Sequence, residues 1–281
     1  MNIKHCYKLA IIIFIILILL YNSINLNKYF TYSQNNQLYK ILDLMPEYEI
    51  SINNIPNELK SHLVIYNISN IKEIDKMNNK TKSETVLSIL ASNNKTINNL
   101  YNRLHIFDTL SFTGSYFPSI HTDIEWNKIQ NDGFQVWCLV ENYNKNNIGN
   151  MYILYNDYLY NKYKDIGINL RIYNNKIAVT KNCYNKEMFQ FIKPKNILEY
   201  MSINTFMQTT KKFYLNFKEG DCIVLNKNII HMSDYRTSSN LRKAFNFRVA
   251  IKTNNKLKLS NEKCGYVHNI NNTNNKPYFF F

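Results

Sequence analysis

Glycine and proline are scarce in this chain, 6 and 5 of 281 residues. Together with the abundance of Asn, Ile, Lys and Tyr, that scarcity marks an AT-rich genome and says nothing of activity. Cysteine is sparse as well. Cys6, Cys138, Cys183, Cys222 and Cys264 form no CxxC pair, which argues against a zinc cluster. Cys138 and Cys222 lie in apolar, strand-like runs and are expected as buried thiols. Cys183 and Cys264 sit in polar segments, where an oxidising compartment would allow them to pair. No internal repeat and no second hydrophobic unit are present, so one large domain is expected rather than an array. Acidic residues are few, 20 against 34 Lys and Arg, for a net charge of +14. A basic surface can attract nucleic acid or anionic lipid. Here, however, the lysines are scattered, with no dense run and no basic stripe interleaved with aromatics. A solvated lysine-rich surface is expected, and nucleic acid is not expected as a partner. The sequons at Asn67, Asn79, Asn94 and Asn271 are of the kind that an Asn-rich chain produces by chance.

Long apolar runs are also missing, with one exception. LAIIIFIILILLY, residues 9–21, follows Lys4 and Lys8 and contains no acidic residue. It is short for a bilayer span of roughly 20 residues but fits the core of a signal peptide. A small-residue cleavage pair is not evident near Tyr21 and Ser23. Residues 1–26 are therefore expected as a signal anchor. The chain would cross a membrane once through residues 9–21 and carry the remainder on the lumenal or extracytoplasmic side. A cleaved signal, giving a secreted protein, and a buried helix are the alternatives.

What is present points to a β-rich globular fold. The 22 Tyr and 16 Phe exceed what a disordered chain carries. Residues 27–60 read as a stalk and entry segment, 61–270 as the folded domain, and 271–281 as a tail. SHLVIYNI (61–68) is a predicted strand, and 83–104 has helical spacing for one helix or two short ones. Then come short β-branched or aromatic runs separated by Asn-rich loops: LHIFDTLSF, FQVWCLVEN, GNMYILY, NKIAVT, KKFYLNF, GDCIVLN and RKAFNFRVAIK. Helical inserts are predicted around DYLYNKYKDI and KEMFQFIKPKNILEYM. The fold class is mainly β with flanking helices, an antiparallel sandwich or barrel preceded by the N-terminal hydrophobic helix.

The candidate chemistry begins at SIHTDIEW. Alternate residues of a strand point to one side, so His121 and Asp123 can face a common ion. His-x-Asp alone is weak, because the pattern arises often by chance. A second imidazole is needed. His5 precedes the apolar run, His268 lies in an Asn-rich tail, and His62 and His105 open apolar segments as core or edge residues would. His231 differs, because it closes a turn–strand unit, GDCIVLNKNIIH. Two His and one carboxylate suit Fe(II), with positions left open for co-substrate and oxygen. Arg242 lies 11 residues after His231 and Arg248 six further on, so both face one side of an unbroken strand. Either offers a planar fork for a carboxylate, and Ser233 adds a donor. Asp132, Glu141 and Asp234 are expected as surface carboxylates, and Asp221 as part of a turn.

IHTDIEW, GFQVWCLVENYNKNNIGNMYIL, FKEGDCIVLNKNIIHMSDYR and NLRKAFNFR together resemble the core of phytanoyl-CoA dioxygenase-like 2-oxoglutarate/Fe(II) oxygenases over roughly residues 104–252. The resemblance implies a double-stranded β-helix of the jelly-roll, cupin-like kind. It implies iron on His121, Asp123 and His231, and 2-oxoglutarate gripped by Arg242 with Ser233, Arg248 being the rival anchor. It suggests Gln135 and Trp137 as lining for the co-substrate, a core role being the alternative for Trp137, and Trp126 as a cavity wall. It implies dioxygen and an organic substrate (lipid, metabolite or protein side chain) that is hydroxylated with release of succinate and CO2. Asp123 argues against a halogenase, which leaves that coordination position to chloride. The Gly-rich loop usual after the middle strand is replaced by Tyr-rich YNDYLYNKY, which leaves the substrate class open. A nucleic-acid demethylase of the same iron class, a metal protein without 2-oxoglutarate and a non-catalytic binding protein on this scaffold are the competing expectations.

Overall fold

The computed structural model describes residues 37–113, 120–123, 132–143, 149–164, 166–181, 197–236 and 242–257. The apolar run 9–21, Trp126, Cys183, Cys264, residues 186–196 of the second helical insert and the tail 271–281 lie outside the described residues.

Two sheets carry the fold. The larger has the order β1 (Glu47–Ile50), β10 (Lys211–Leu215), β6 (Met151–Tyr155), β12 (Ile230–Ser233), β4 (Ile120–His121), β7 (Ile168–Tyr173), β8 (Lys176–Lys181) and β9 (Ile197–Met201). The smaller has the order β2 (Leu63–Asn67), β11 (Asp221–Asn226), β5 (Gly133–Asn142), β13 (Arg242–Ile251) and β3 (Leu104–Thr113). Pairing is antiparallel except between β1 and β10. The architecture is that of a mainly β, two-sheet, jelly-roll-like molecule with a few helices.

Strand alternation sorts the side chains into layers. On β5, Trp137 and Leu139 meet Ile153, Phe213 and Leu215 of the larger sheet, which forms the core between the sheets. The opposite face of β5, with Val136, Cys138 and Val140, packs with Phe245 and Phe247 of β13 under helices α2 (Ile71–Asp75), α3 (Asn79–Asn93) and α4 (Lys95–Leu100). Both faces of the strand are buried, so FQVWCLV reads as a nearly unbroken apolar run. Each such side chain stabilises the fold by about 1.5–3 kcal/mol. The outer face of the larger sheet is covered by α1 (residues 37–43), α5 (Asp157–Lys162) and α6 (Ile203–Thr209) through Leu38, Leu42, Leu159 and Phe206. The entry part of the stalk and entry segment (27–60) packs into this layer from residue 37 onward.

Asparagine does much of the work that glycine does elsewhere. Asn174 and Asn175, both at positive φ (48° and 55°), form the two-residue turn joining β7 to β8, a turn that requires left-handed backbone at both positions. Asn78, Asn94 and Asn156 cap α3, α4 and α5, each side chain accepting from a main-chain N–H in the first turn. At Gly220 (φ 86°) a substitute fails. A Cβ there would come within 2.6 Å of the Ile68 carbonyl oxygen.

Three expectations are corrected. Cys138 and Cys222 are not thiols. They stand directly opposite on β5 and β11, with Cα atoms 4.1 Å apart, and are joined as a disulfide. ILEYM, expected within a helical insert, is the edge strand β9, and the helix follows it as α6, with Ser202 as its cap. The helical segment expected at 83–104, as one helix or two short ones, is two: it begins at Asn79 and divides at Asn94 into α3 and α4. Finally, among the described residues no helix is long and apolar enough to cross a membrane. The longest helix among the described residues, α3, has 15 residues, about 22 Å, bears Lys80, Lys82 and Glu84, and packs on a sheet. The expected address, membrane-anchored by a single pass or secreted after cleavage, is withdrawn on that finding.

Candidate metal centre

β4 is only two residues long, yet it places both strands of the centre. His121 stands directly opposite His231 of β12. Their neighbours Ile120 and Ile230 point outward into the apolar layer under the helices. Alternation therefore turns both imidazoles to the inner face, toward the smaller sheet. Beyond β4 the chain is tied down on both sides of Asp123. Thr122 N–H donates to the Ile168 carbonyl (3.0 Å), and its hydroxyl accepts from Ile168 N–H (2.9 Å). Asp123 N–H donates to the Lys227 carbonyl (3.1 Å), in the turn that leads into β12. Asp123 is thereby fixed to the same piece of backbone that delivers His231.

The three side chains converge. One ligating atom from each of His121, Asp123 and His231 lies within 4.8 Å of the others, and all three residues are buried, at 5–6 % exposure. His121 Nε2 is 3.8 Å from Asp123 Oδ1, His231 Nε2 is 3.5 Å from Asp123 Oδ2, and the ring centroids are 4.5 Å apart. His231 Nδ1 is 3.0 Å from the Ile229 carbonyl. A carbonyl only accepts, so Nδ1 carries the proton and the Nε2 lone pair faces the cluster.

Asp123 is divided between two tasks. Its Oδ1 accepts from Arg248 Nη2 at 2.9 Å, whereas its buried Oδ2 has no hydrogen-bond partner. Burial pushes this carboxyl upward. Arg248, then His231 and His121, outweigh it and hold the group below its ordinary range, so it is ionised at neutral pH. A buried acceptor left without a donor is costly, and a cation beside Oδ2 and the two imidazoles would satisfy it. Two imidazole nitrogens and one carboxylate oxygen fit a first-row divalent metal and in particular ferrous iron.

The other candidate residues divide between two neighbourhoods. Arg248, one of the two expected anion anchors, is engaged with Asp123. Gln135 stands directly opposite Arg248 on β5, buried, with its Oε1 lacking a hydrogen-bond partner. Arg242, at the other end of β13, is buried with its guanidinium 5.4 Å from the centre of the Trp137 ring. Its Nη1 donates to the carbonyls of Gly149 and Asn150, the latter at 2.6 Å. Burial lowers Arg242 to about 10, opposed by nearby Asp234 and Tyr214, and it remains a cation at neutral pH. Trp137 is both core and platform, since it also packs on Phe217. Ser233 is partly buried at the end of β12 and pairs with Met151. Register shifts on β13 lie beside both arginines, at Lys243/Ala244 and Arg248/Val249. Bulges of this kind re-aim side chains next to sites. His62 and His105 stay away from the centre. His62 packs on Tyr155 and Tyr160, and burial lowers both imidazoles.

One carboxylate breaks its expectation. Asp234 is almost wholly buried and accepts from Gly149 N–H (2.8 Å) and from Arg236. Asp221 closes the turn expected of it: its N–H donates to the Lys218 carbonyl (3.0 Å), and its buried carboxylate accepts from Lys218 N–H (2.8 Å) and Asn67 Nδ2 (2.8 Å). The spacing Asp234-x-Arg236 was the available sign of a local ion pair. Nothing local signals that Gly149 is their neighbour, because that contact spans 85 residues.

No protein-family model and no curated protein matches the chain, so the family resemblance rests on the motif residues themselves. Among solved structures the chain is similar to a taurine dioxygenase from Burkholderia xenovorans, at 10 % identity and a TM-score of 0.28 over 55 % of this chain and 67 % of that one. It is also similar to a putative alpha-ketoglutarate-dependent taurine dioxygenase from the same organism, at 9 % identity and a TM-score of 0.34 over 74 % of this chain and 87 % of the other.

Proposed function

We propose that this protein is an Fe(II)- and 2-oxoglutarate-dependent dioxygenase that hydroxylates an organic substrate and releases succinate and CO2. The observation that supports this most is the convergence of His121, Asp123 and His231 on one buried point inside a two-sheet β fold. The order of motifs, with His-x-Asp, a distal His and an Arg 11 residues beyond it, supports a place among the phytanoyl-CoA dioxygenase-like oxygenases.

His121 Nε2, His231 Nε2 and Asp123 Oδ2 would hold the iron. The bound metal and 2-oxoglutarate supply the oxidising power for dioxygen activation. The chain's own residues hold and orient. The Ile229 carbonyl fixes the His231 tautomer, and Arg248 keeps Asp123 ionised and leaves Oδ2 for the metal. Arg242 lies on a different part of β13, buried on Trp137, and is assigned the distal carboxylate of 2-oxoglutarate, with Ser233 as a further donor. Arg248 is assigned to the metal ligand instead, because its Nη2 already donates to Asp123 Oδ1. Gln135 is assigned to the wall of the co-substrate pocket.

The test is direct. Purified full-length protein with Fe(II), 2-oxoglutarate and dioxygen is expected to form succinate, and His121→Ala to abolish it. Succinate formation at the wild-type rate in His121→Ala would remove the triad from the chemistry.

A further inference from the structure

Arg242 does not aim itself. It belongs to the smaller sheet, while the two carbonyls that accept from its Nη1 belong to Gly149 and Asn150, which lead into β6 of the larger sheet. Those carbonyls hold the Nη1 end of the guanidinium. Gly149 has φ 95°, in the left-handed region, so its carbonyl orientation is one that L side chains rarely adopt.

Asp234 ties that short segment at two points, and Asn150 Nδ2 donates to the Phe217 carbonyl at 3.4 Å. Asp234 Oδ2 accepts from Gly149 N–H at 2.8 Å, and Asp234 N–H donates to the Asn150 carbonyl at 3.0 Å. The Asn150 oxygen is thus shared between Asp234 N–H and Arg242 Nη1. Tyr214 adds a smaller tie, its hydroxyl accepting from Asn150 N–H at 3.3 Å. The Asp234 charge is matched by Arg236, whose Nε lies 3.0 Å from Oδ1 and whose Nη2 lies 3.0 Å from Oδ2. Arg236 in turn lies over the Tyr214 and Tyr152 rings, at 4.5 and 5.3 Å. Asp234 therefore acts on Arg242 chiefly through main chain, with a longer-range electrostatic contribution.

We propose that Asp234 is a positioning residue for the co-substrate pocket: it clamps Gly149–Asn150, whose carbonyls aim the Arg242 guanidinium at the distal carboxylate. This rests on the 2-oxoglutarate reading above. Its consequence is selectivity between 2-oxo acids that end in a carboxylate and those that end in a methyl group.

The experiment compares 2-oxoglutarate with 2-oxopentanoate, which carries a methyl group where the distal carboxylate would be. Affinities for both are measured on the Fe(II)-loaded, oxygen-free full-length protein, together with amide hydrogen exchange over residues 149–155. Asp234→Asn is expected to weaken 2-oxoglutarate about tenfold and to leave 2-oxopentanoate and Fe(II) within about twofold. Exchange at Gly149 is expected to accelerate. If Asp234→Asn does not fold, Tyr214→Phe removes the smaller tie and is expected to narrow the preference about threefold. An unchanged preference with unchanged exchange in a folded Asp234→Asn overturns the proposal. Wild-type protein that shows no preference for 2-oxoglutarate sinks the co-substrate assignment instead. In that case exchange at Gly149 alone decides whether Asp234 clamps the segment, and unchanged exchange rejects it.

Discussion

Arg242 and Arg248 stand six residues apart on one strand, both buried, and they are held in opposite ways. Arg248 is held by a charge, the Asp123 carboxylate at 2.9 Å. Arg242 is held by dipoles, the carbonyls of Gly149 and Asn150, with an aromatic ring beneath it. An arginine that donates to a buried carboxylate serves to fix that carboxylate. One held by main-chain carbonyls, with Asp234 as a nearby opposite charge, is a buried cation, and burial strengthens its attraction for a ligand's carboxylate. The same residue type on the same face thus does two jobs, and the difference lies in what the opposite sheet supplies.

The largest expected effect breaks the charged end. Arg248→Met leaves Asp123 buried without its guanidinium and is expected to cost about 3–5 kcal/mol in the iron-free protein at neutral pH, read by urea denaturation. Iron affinity should fall with it. Arg242→Met is expected to leave iron affinity intact and to weaken 2-oxoglutarate by about 2–5 kcal/mol, roughly 30- to several-thousand-fold, read by calorimetry under argon. Were the two variants to exchange these phenotypes, the assignment of the arginines would reverse. Arg242→Lys keeps the charge and loses the fork, and a smaller loss of about 1–2 kcal/mol in 2-oxoglutarate affinity is expected. Acid sharpens the comparison further. Burial pushes Asp234 upward, but Arg236 and the Gly149 and Arg236 N–H groups hold it below the ordinary carboxyl range. A depressed carboxyl stabilises the fold above its unfolded pKa of about 4, and that contribution is lost as pH falls through the folded value. The stability gap between wild type and Asp234→Asn should therefore be constant above about pH 5 and close below it. The smallest effect is a control far from both arginines. Asn94→Ala removes the cap of α4, at a cost of about 1 kcal/mol, and should change neither affinity.

Much of this centre was legible in the chain because its elements are local. His-x-Asp declares a shared face by strand periodicity, and GDCIVLNKNIIH declares a turn, a strand and a strand end carrying the second imidazole. The Asn-rich loops declared turns, and the structure shows Asn in the caps and left-handed positions. Other features were not legible, because they are long-range. Cys138 and Cys222 lie 84 residues apart, and only the register of β5 against β11 makes them partners. ILEYM carries no feature that separates an edge strand from a helix. Its neighbours β8 and α6 decide between them, and propensity over five residues is a weak guide.

From the sequence alone came a β-rich fold, the strand runs, the candidate ligands and the two rival arginines, since periodicity and residue chemistry act over a few neighbours. Tertiary structure alone decided that the imidazoles meet across β4 and β12, that Asp234 is buried, and that each arginine has a different partner. Those outcomes depend on sheet register and on how the two sheets face each other, and contacts between residues 85 to 125 positions apart leave no periodic trace in the chain.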